Sequence, residues 1–332
     1  MNYDIFDENY YLSRYQFVKE AVNSGIVQSG LEHFQKYGQK LGLTQISRYY
    51  DEDYYLANNP GVAAAVKAGN FASALDHFIQ YGYEQGRANA SPSYEERFYL
   101  KRHPGIVPFV QDGTFKSGFQ HFIKFGSKAG LYATNFFETR YLKDNSGVAA
   151  AVDASIFQTG RDHYVKAGQF EPSRATVFTG TNSSDIVTGF GVGTHEIIGV
   201  QVALATANLG INPNSYESLG TNEFDTLIGS PGSDYFLLGE VVPLNRPSLI
   251  DRITFYTGNG EATIINFEKG KDYILLSQPP DQFNIFPAGG DLFIQKSGDT
   301  IAKIPGGANL NLQQIQATNP FNNPNVGYTL LG

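Results

Sequence analysis

The sequence lacks several residue types, and each absence removes a class of protein chemistry. Its 332 residues contain no cysteine, no tryptophan and one methionine. Without cysteine the chain cannot form disulfides, use a thiol nucleophile or bind zinc through thiolates. No stretch approaches the roughly 18 consecutive apolar residues of a membrane helix, so we expect no membrane span. The net charge of −8 would repel phosphate backbones, so nucleic acid is not an expected partner.

The residues that are present indicate a globular, turn-rich chain long enough for two domains. Hydrophobic residues make up 41% of the sequence, and there are 36 glycines, 25 phenylalanines and 21 tyrosines. The first ten residues include Asp4, Asp7 and Glu8, where a signal peptide would have a basic region and an apolar run. We therefore expect export, if it occurs, by a route that does not read the N-terminus.

A repeat of about 44 residues fills the first half of the chain. Its clearest marker is a histidine followed by an aromatic residue, at His33, His77, His121 and His163, which gives spacings of 44, 44 and 42 residues. Each copy has the pattern of three short helices. The spacing predicts a solenoid-like array of four helical repeats over residues 1–172, in which each repeat buries its apolar face against its neighbours.

The second copy shows where its helices begin and end. Asn59 is suited to the position before a helix and Pro60 to the first helical residue, while Gly69 can adopt the left-handed conformation that ends the helix. Helical spacing predicts one apolar face for the third helix of this copy. Its members are Leu75, Phe78, Ile79 and Tyr81.

The repeated histidines and acidic pairs could be metal ligands, but packing explains them better. Histidines 44 residues apart lie one repeat apart, which is too far for them to share one ion. The acidic pairs, such as Asp51 with Glu52, are typical of the first turn of a helix. Any tyrosines left on the surface of these repeats could serve protein contacts or sugar stacking.

The composition changes near Pro172, which predicts a linker at 173–178 and a β-domain at 179–332. Gly220 and Gly229 each begin a nine-residue unit with an aspartate at its sixth position, Asp225 and Asp234. Such Gly/Asp nonapeptides build calcium-binding turns, with glycine for the sharp turn and aspartate for the hard oxygen ligand. The candidate calcium residues are Asp185, Asp225, Asp234, Gly229 and Gly232. Two interpretations stay open: a calcium site, or roll turns that hold no metal.

Short alternating segments separated by glycine-rich turns follow the nonapeptides and predict at least six strands. They are 253–256, 262–267, 272–276, 283–286, 291–295 and 300–304. The predicted fold class is therefore α+β and multidomain, with an N-terminal helical repeat array followed by a C-terminal β-roll or β-sandwich.

Several of these segments resemble the C-terminal region of hemolysin-type, or repeats-in-toxin, proteins, particularly the cyanobacterial ones. They are the unit at Gly229–Phe236 and the segments 251–255, 265–267, 271–276 and 291–294. The pattern of residues 50–66 is similar to a repeat of the same secreted bacterial proteins. The resemblance implies type I secretion through a C-terminal signal, calcium-assisted folding outside the cell, and a cell-surface or matrix location.

No arrangement of residues in the sequence indicates an enzyme. His195-Glu196 has no second histidine at metal-ligand spacing, and nucleophile-elbow and phosphate-loop motifs are absent. The leading hypothesis is an extracellular structural protein that self-associates into a layer, fibre or sheath. The alternatives are a module that binds surface polysaccharide and an accessory domain of an enzyme. A homo-oligomer or polymer, surface polysaccharide and calcium are thus the expected partners.

Overall fold

The protein is an α+β structure, as the sequence predicted. A computed structural model describes residues 1–203, 216–243, 250–315 and 328–332. Helices occupy the first half of the chain and strands the second half. Within these ranges no helix has both the length and the apolar character needed to cross a membrane. Residues 316–327, part of the predicted C-terminal export region, lie outside the described residues.

The helices recur with the sequence repeat, three to a copy. They are α1 (Glu8–Arg14), α2 (Gln16–Asn23), α3 (Gly30–His33), α4 (Glu52–Asn58), α5 (Pro60–Lys67), α6 (Ala74–His77), α7 (Glu96–Arg102), α8 (Val107–Gln111), α9 (Gly118–His121), α10 (Glu138–Asp144), α11 (Ser146–Asp153) and α12 (Gly160–Lys166). In the first three copies the third helix continues directly as a π-helix. These π-helices span Phe34–Gly38, Phe78–Gly82 and Phe122–Gly126.

Helix boundaries in the second copy follow the local signals in the sequence. The side chain of Asp51 accepts a hydrogen bond from the backbone N–H of Tyr54 and so caps α4. As predicted, α5 begins at Pro60 directly after Asn59, and Gly69 takes a left-handed φ of +77° just beyond its end. The predicted apolar face of the third helix is wrong at one position, because Tyr81 is half exposed.

The helical repeats make more contacts than a linear solenoid would. The hydroxyl groups of Ser13 and Ser155 lie 2.6 Å apart, so the first copy contacts the fourth directly. The backbone carbonyls of Ser47 and Tyr50 both accept hydrogen bonds from the amide of Gln158. These contacts supply buried polar partners for backbone groups that a stack of nearest neighbours would leave to solvent. The first and second copies therefore both contact the fourth, so the repeats form a closed arrangement and not a linear stack.

The chain divides into two compact units whose boundaries differ from the expected ones. The helical unit comprises 1–134 and 142–165, and the β unit comprises 135–141 and 166–332. Residues 135–141 belong to the β unit because the backbone N–H of Phe137 donates to Val177 O and Phe136 forms a bridge with Phe178. The expected linker at 173–178 mostly lies inside the first strand.

Strands begin at Ala175 and continue to the C-terminus. They are β1 (Ala175–Thr179), β2 (Ile186–Thr188), β3 (Thr194–Ile198), β4 (Phe224–Ile228), β5 (Ser233–Leu237), β6 (Gly239–Pro243), β7 (Ile250–Thr254), β8 (Glu261–Ile265), β9 (Tyr273–Leu276), β10 (Asn284–Ala288), β11 (Asp291–Lys296), β12 (Asp299–Ile304), β13 (Gln313–Ile315) and β14 (Tyr328–Leu331). All six strands expected after the nonapeptides are present, with ends shifted by up to three residues.

Within the described residues, the strands form two six-stranded sheets and a separate antiparallel pair, β6 with β7. The first sheet has the order β1-β3-β5-β9-β14-β13, and the second has the order β10-β11-β12-β8-β4-β2. From β1 to β5, successive strands alternate between the sheets, and each pairs in parallel with the strand before the last. Glycines permit the close approach of successive turns: a Cβ on Gly180 would lie 1.6 Å from Gly199 O.

Candidate functional site

The predicted calcium aspartates bind backbone N–H groups of their own turns. One oxygen of Asp185 accepts from Thr181 N at 2.7 Å, and one oxygen of Asp234 accepts from Ser230 N at 2.6 Å. In both turns the donor lies four residues before the aspartate. A carboxylate in this position closes the turn by hydrogen bonding, without needing a metal.

A second set of hydrogen bonds links each aspartate to the next turn of the same sheet. The backbone N–H of Asp185 donates to Asp225 Oδ1 at 2.7 Å, and that of Asp234 donates to Asp272 Oδ1 at 3.0 Å. The structure thus brings Asp185 and Asp225 together at the second sheet, whereas Asp234 and Asp272 meet at the first. Across the described ranges, no group of three or more acidic or histidine side chains is placed to hold a metal ion.

The two candidate glycines, Gly229 and Gly232, permit close packing between turns. A Cβ on Gly229 would lie 2.9 Å from Asn266 O, and one on Gly232 would lie 2.1 Å from Gly193 O. Both positions therefore exclude larger residues for steric reasons alone. Calcium binding by the five candidate residues stays a prediction, and hydrogen bonding and packing give each of them a structural role.

A buried Ser–His–Asp cluster, which the sequence did not reveal, surrounds Asp234. The Nδ1 atom of His195 lies 3.0 Å from Asp234 Oδ1 and 2.9 Å from Ser230 Oγ. In a catalytic triad, serine and aspartate bind different ring nitrogens, so that the histidine can pass a proton between them. Here both bind the same nitrogen, and the histidine and aspartate side chains are completely buried. The cluster is arranged to support the turn, not to activate a nucleophile.

Two buried carboxyl groups make the stability of the β unit depend on pH. Burial, together with the charge of Asp225, raises the pKa of Glu223 to about 7. Burial and the charge of Asp234 likewise raise the pKa of Asp272 to about 7. Both groups hold their protons more tightly in the folded state than in the unfolded chain, where carboxyls titrate near pH 4.

We therefore expect the β unit to lose stability as the pH rises from about 4 to about 7, and to level off above that pH. The expected loss in free energy of unfolding is on the order of 1 kcal/mol or more. Urea titrations at pH 5 and pH 8, followed by the β-sheet circular dichroism signal, measure it. The Glu223→Gln variant should flatten the pH dependence, and an equally steep profile in that variant would contradict this assignment.

The helical unit carries a recurring aromatic–histidine cluster on its surface. In the second copy, the ring of His77 lies edge-to-face with Phe71, with centroids 5.0 Å apart, and 6.2 Å from Tyr81. The third copy repeats the arrangement, with the ring of His121 5.1 Å from Phe115 and 5.7 Å from Phe125. The repeat therefore presents the same group of rings more than once.

Beneath the surface, the hydroxyl group of a tyrosine holds each of the first three histidines in place. The hydroxyl of Tyr55 lies 3.1 Å from His77 Nδ1, and the same bond joins Tyr11 to His33 at 3.0 Å. Burial lowers the pKa of these histidines, so they are neutral at neutral pH. Their recurrence reflects packing, as expected, and their polar partner is a tyrosine hydroxyl.

The outermost ring of each cluster is well exposed to solvent. Tyr37, Tyr81 and Phe125 occupy equivalent positions in the first three copies and have 51%, 50% and 56% of their surface exposed. Each lies within the π-helix that ends the third helix, and π-helical turns are rare and often occur at functional sites. The first three copies therefore each expose one aromatic ring at the same repeat position.

A pocket of about 300 Å³ opens beside the cluster of the second copy. Rings of Phe71, His77 and Tyr81 line one side of it. Polar side chains contribute as well, namely those of Gln85 and Arg87. Apolar walls with a few convergent polar groups are the usual make-up of a small-ligand site.

Sequence reasoning noted the aromatic content of the repeats but did not find this pocket. A column-by-column comparison of the copies contains the signal, because Gln85 and Arg87 stand where the first and third copies have apolar residues. The β unit offered a similar signal for Asp272, which lies two residues after Gly270 and before a tyrosine, as Asp234 lies two residues after Gly232 and before a tyrosine. Comparison with protein-family models and with curated proteins finds no match to the chain.

Proposed function

We propose that this protein is an exported, non-enzymatic protein of the bacterial cell surface or matrix, and that its helical unit binds polysaccharide. The helical unit would act as a closed array of repeats and the β unit as a roll-type domain that carries the export signal. The sequence alone favours self-association over polysaccharide binding. Ring exposure in the helical repeats favours polysaccharide binding instead.

The observation that carries the proposal is the exposure of the aromatic rings at Tyr37, Tyr81 and Phe125, which occupy the same repeat position. The faces of a sugar ring carry C–H groups that pack against aromatic rings, and a tyrosine hydroxyl can also hydrogen-bond to a sugar hydroxyl. Because each ring packs against a buried or half-buried histidine, it is held in place before binding, which reduces the entropy lost on binding.

The test is binding of the full chain to insoluble polysaccharides in a sedimentation assay. We expect the double variant Tyr81→Ala with Phe125→Ala to bind at least about tenfold more weakly than the native chain, since each stacked ring contributes on the order of 1 kcal/mol. The control is Phe224→Ala, which removes an equally exposed ring, 56% exposed, from the β unit. Equal binding by all three proteins, or none by the native chain, would refute the proposal.

Self-association is the second candidate because of one edge of the second sheet. Strand β2 lies at that edge, and Ile186 on it is 64% exposed, beside the neighbouring strand that carries Phe224. An exposed edge with apolar side chains can pair with a second copy. Light scattering of the same proteins separates the two functions: a polymer that only Phe224→Ala disperses would favour self-association.

A further inference from the structure

Two positions that line the pocket of the second copy hold small residues, and each neighbouring copy has a phenylalanine at one of them. Gly61 occupies the position of Phe17 in the first copy, and Ala65 that of Phe109 in the third copy. Phe17 packs 5.8 Å from His33, on the ring that corresponds to His77. Small residues in the second copy therefore leave open a space next to the rings that a phenylalanine side chain could occupy.

The same copy also places a cation in this space. Arg87 stands where the first and third copies have Leu43 and Leu131. Its guanidinium donates to Asn59 Oδ1 at 2.7 Å and to Gln85 Oε1 at 2.9 Å, both neutral acceptors. Within the described part of the chain it forms no ion pair with a carboxylate. A partly buried arginine held by neutral groups keeps its charge available for an anion.

We propose that this pocket binds an acidic sugar unit, a uronate, of the polysaccharide. The sugar ring lies against Tyr81 and the sugar carboxylate pairs with Arg87, while Gly61 and Ala65 leave room for the ring. Gln85 holds the guanidinium at the pocket and can hydrogen-bond to a sugar hydroxyl. This inference rests on the proposed function and adds a charge preference to one of its subsites.

The experiment compares the full chain with variants that install the residues of the sister copies. Calorimetric titrations use a hexa-uronate and a neutral hexa-glucan of the same length as probes. We expect Arg87→Leu to weaken uronate binding about tenfold or more, because a charge-assisted hydrogen bond is lost, and to weaken glucan binding much less. The Gly61→Phe variant should weaken the binding of both probes by filling the pocket.

Arg97→Leu is the matched control, since it removes an exposed arginine of the same unit and changes the net charge equally. Equal weakening by Arg87→Leu and Arg97→Leu would overturn the proposal, because it would indicate attraction by overall charge only. Binding of poly-glutamate as tightly as the uronate would also overturn it. If both probes bind and Arg87→Leu has no effect, the uronate subsite is refuted but the proposed function is not. If neither probe binds, the proposed function itself is refuted. Urea midpoints of each variant verify that it is folded.

Discussion

Replacing Gly82 by alanine is expected to destabilise the helical unit by about 2–4 kcal/mol. The new Cβ would lie 2.4 Å from the hydroxyl oxygen of Tyr55 and 3.0 Å from the ring of Phe78. Both rings are completely buried, so neither can move aside without disturbing the core. The tyrosine would also lose its hydrogen bond to His77, because its hydroxyl is the atom displaced.

Gly61→Ala is the matched control for this prediction. Gly61 lies in the first turn of α5, and a Cβ there would have no atom within 4 Å. Alanine favours helix over glycine by up to about 1 kcal/mol, so this variant should be neutral or slightly more stable. Urea unfolding followed at the helical circular dichroism band measures both variants. A Gly82→Ala protein as stable as Gly61→Ala would show that the glycine is not required by the tyrosine.

Local signals in the sequence predicted the helices well because they act over a few residues. Pro60 and Gly69 predicted the beginning and the end of α5, and the observed helix agrees with both. Closure of the repeats could not be predicted in the same way. It depends on bonds between distant residues such as Ser13 and Ser155, whose types are common on any protein surface. The prediction that Tyr81 lies on the buried apolar face was wrong because helical spacing assumes 3.6 residues per turn, whereas this residue lies in a wider π-helix.

In the β unit, the sequence likewise predicted the strands but not the role of the aspartates. Alternating apolar residues and glycine turns gave all six expected strands, since these patterns are local. The role of the aspartates was harder to predict because an aspartate suits a turn and a calcium site equally well. Some of their hydrogen-bond donors come from neighbouring turns, as where Asp185 N donates to Asp225 Oδ1. Spacing along the chain does not reveal which of the two roles applies.

Replacing Asp234 by alanine is expected to destabilise the β unit by about 3–5 kcal/mol. The carboxylate accepts hydrogen bonds from Ser230 N and Ser230 Oγ and contacts His195 Nδ1, and the side chains of Asp234 and His195 are fully buried. Alanine would leave Ser230 N without this acceptor and would remove one partner each from Ser230 Oγ and His195, in a place that water does not reach. The cost is therefore the desolvation of several groups and exceeds that of losing one exposed hydrogen bond.

Measuring this loss in calcium and in chelator separates the two roles of Asp234. Hydrogen bonding within the turn predicts the same loss in both solutions, and this is the result we expect. A metal ligand predicts a loss in calcium alone, because the native chain in chelator would already lack the ion. Asp281→Ala removes the same charge from an exposed position and should change stability by less than about 0.5 kcal/mol. A calcium-dependent loss for Asp234→Ala, with none for Asp281→Ala, would assign the aspartate to a calcium site.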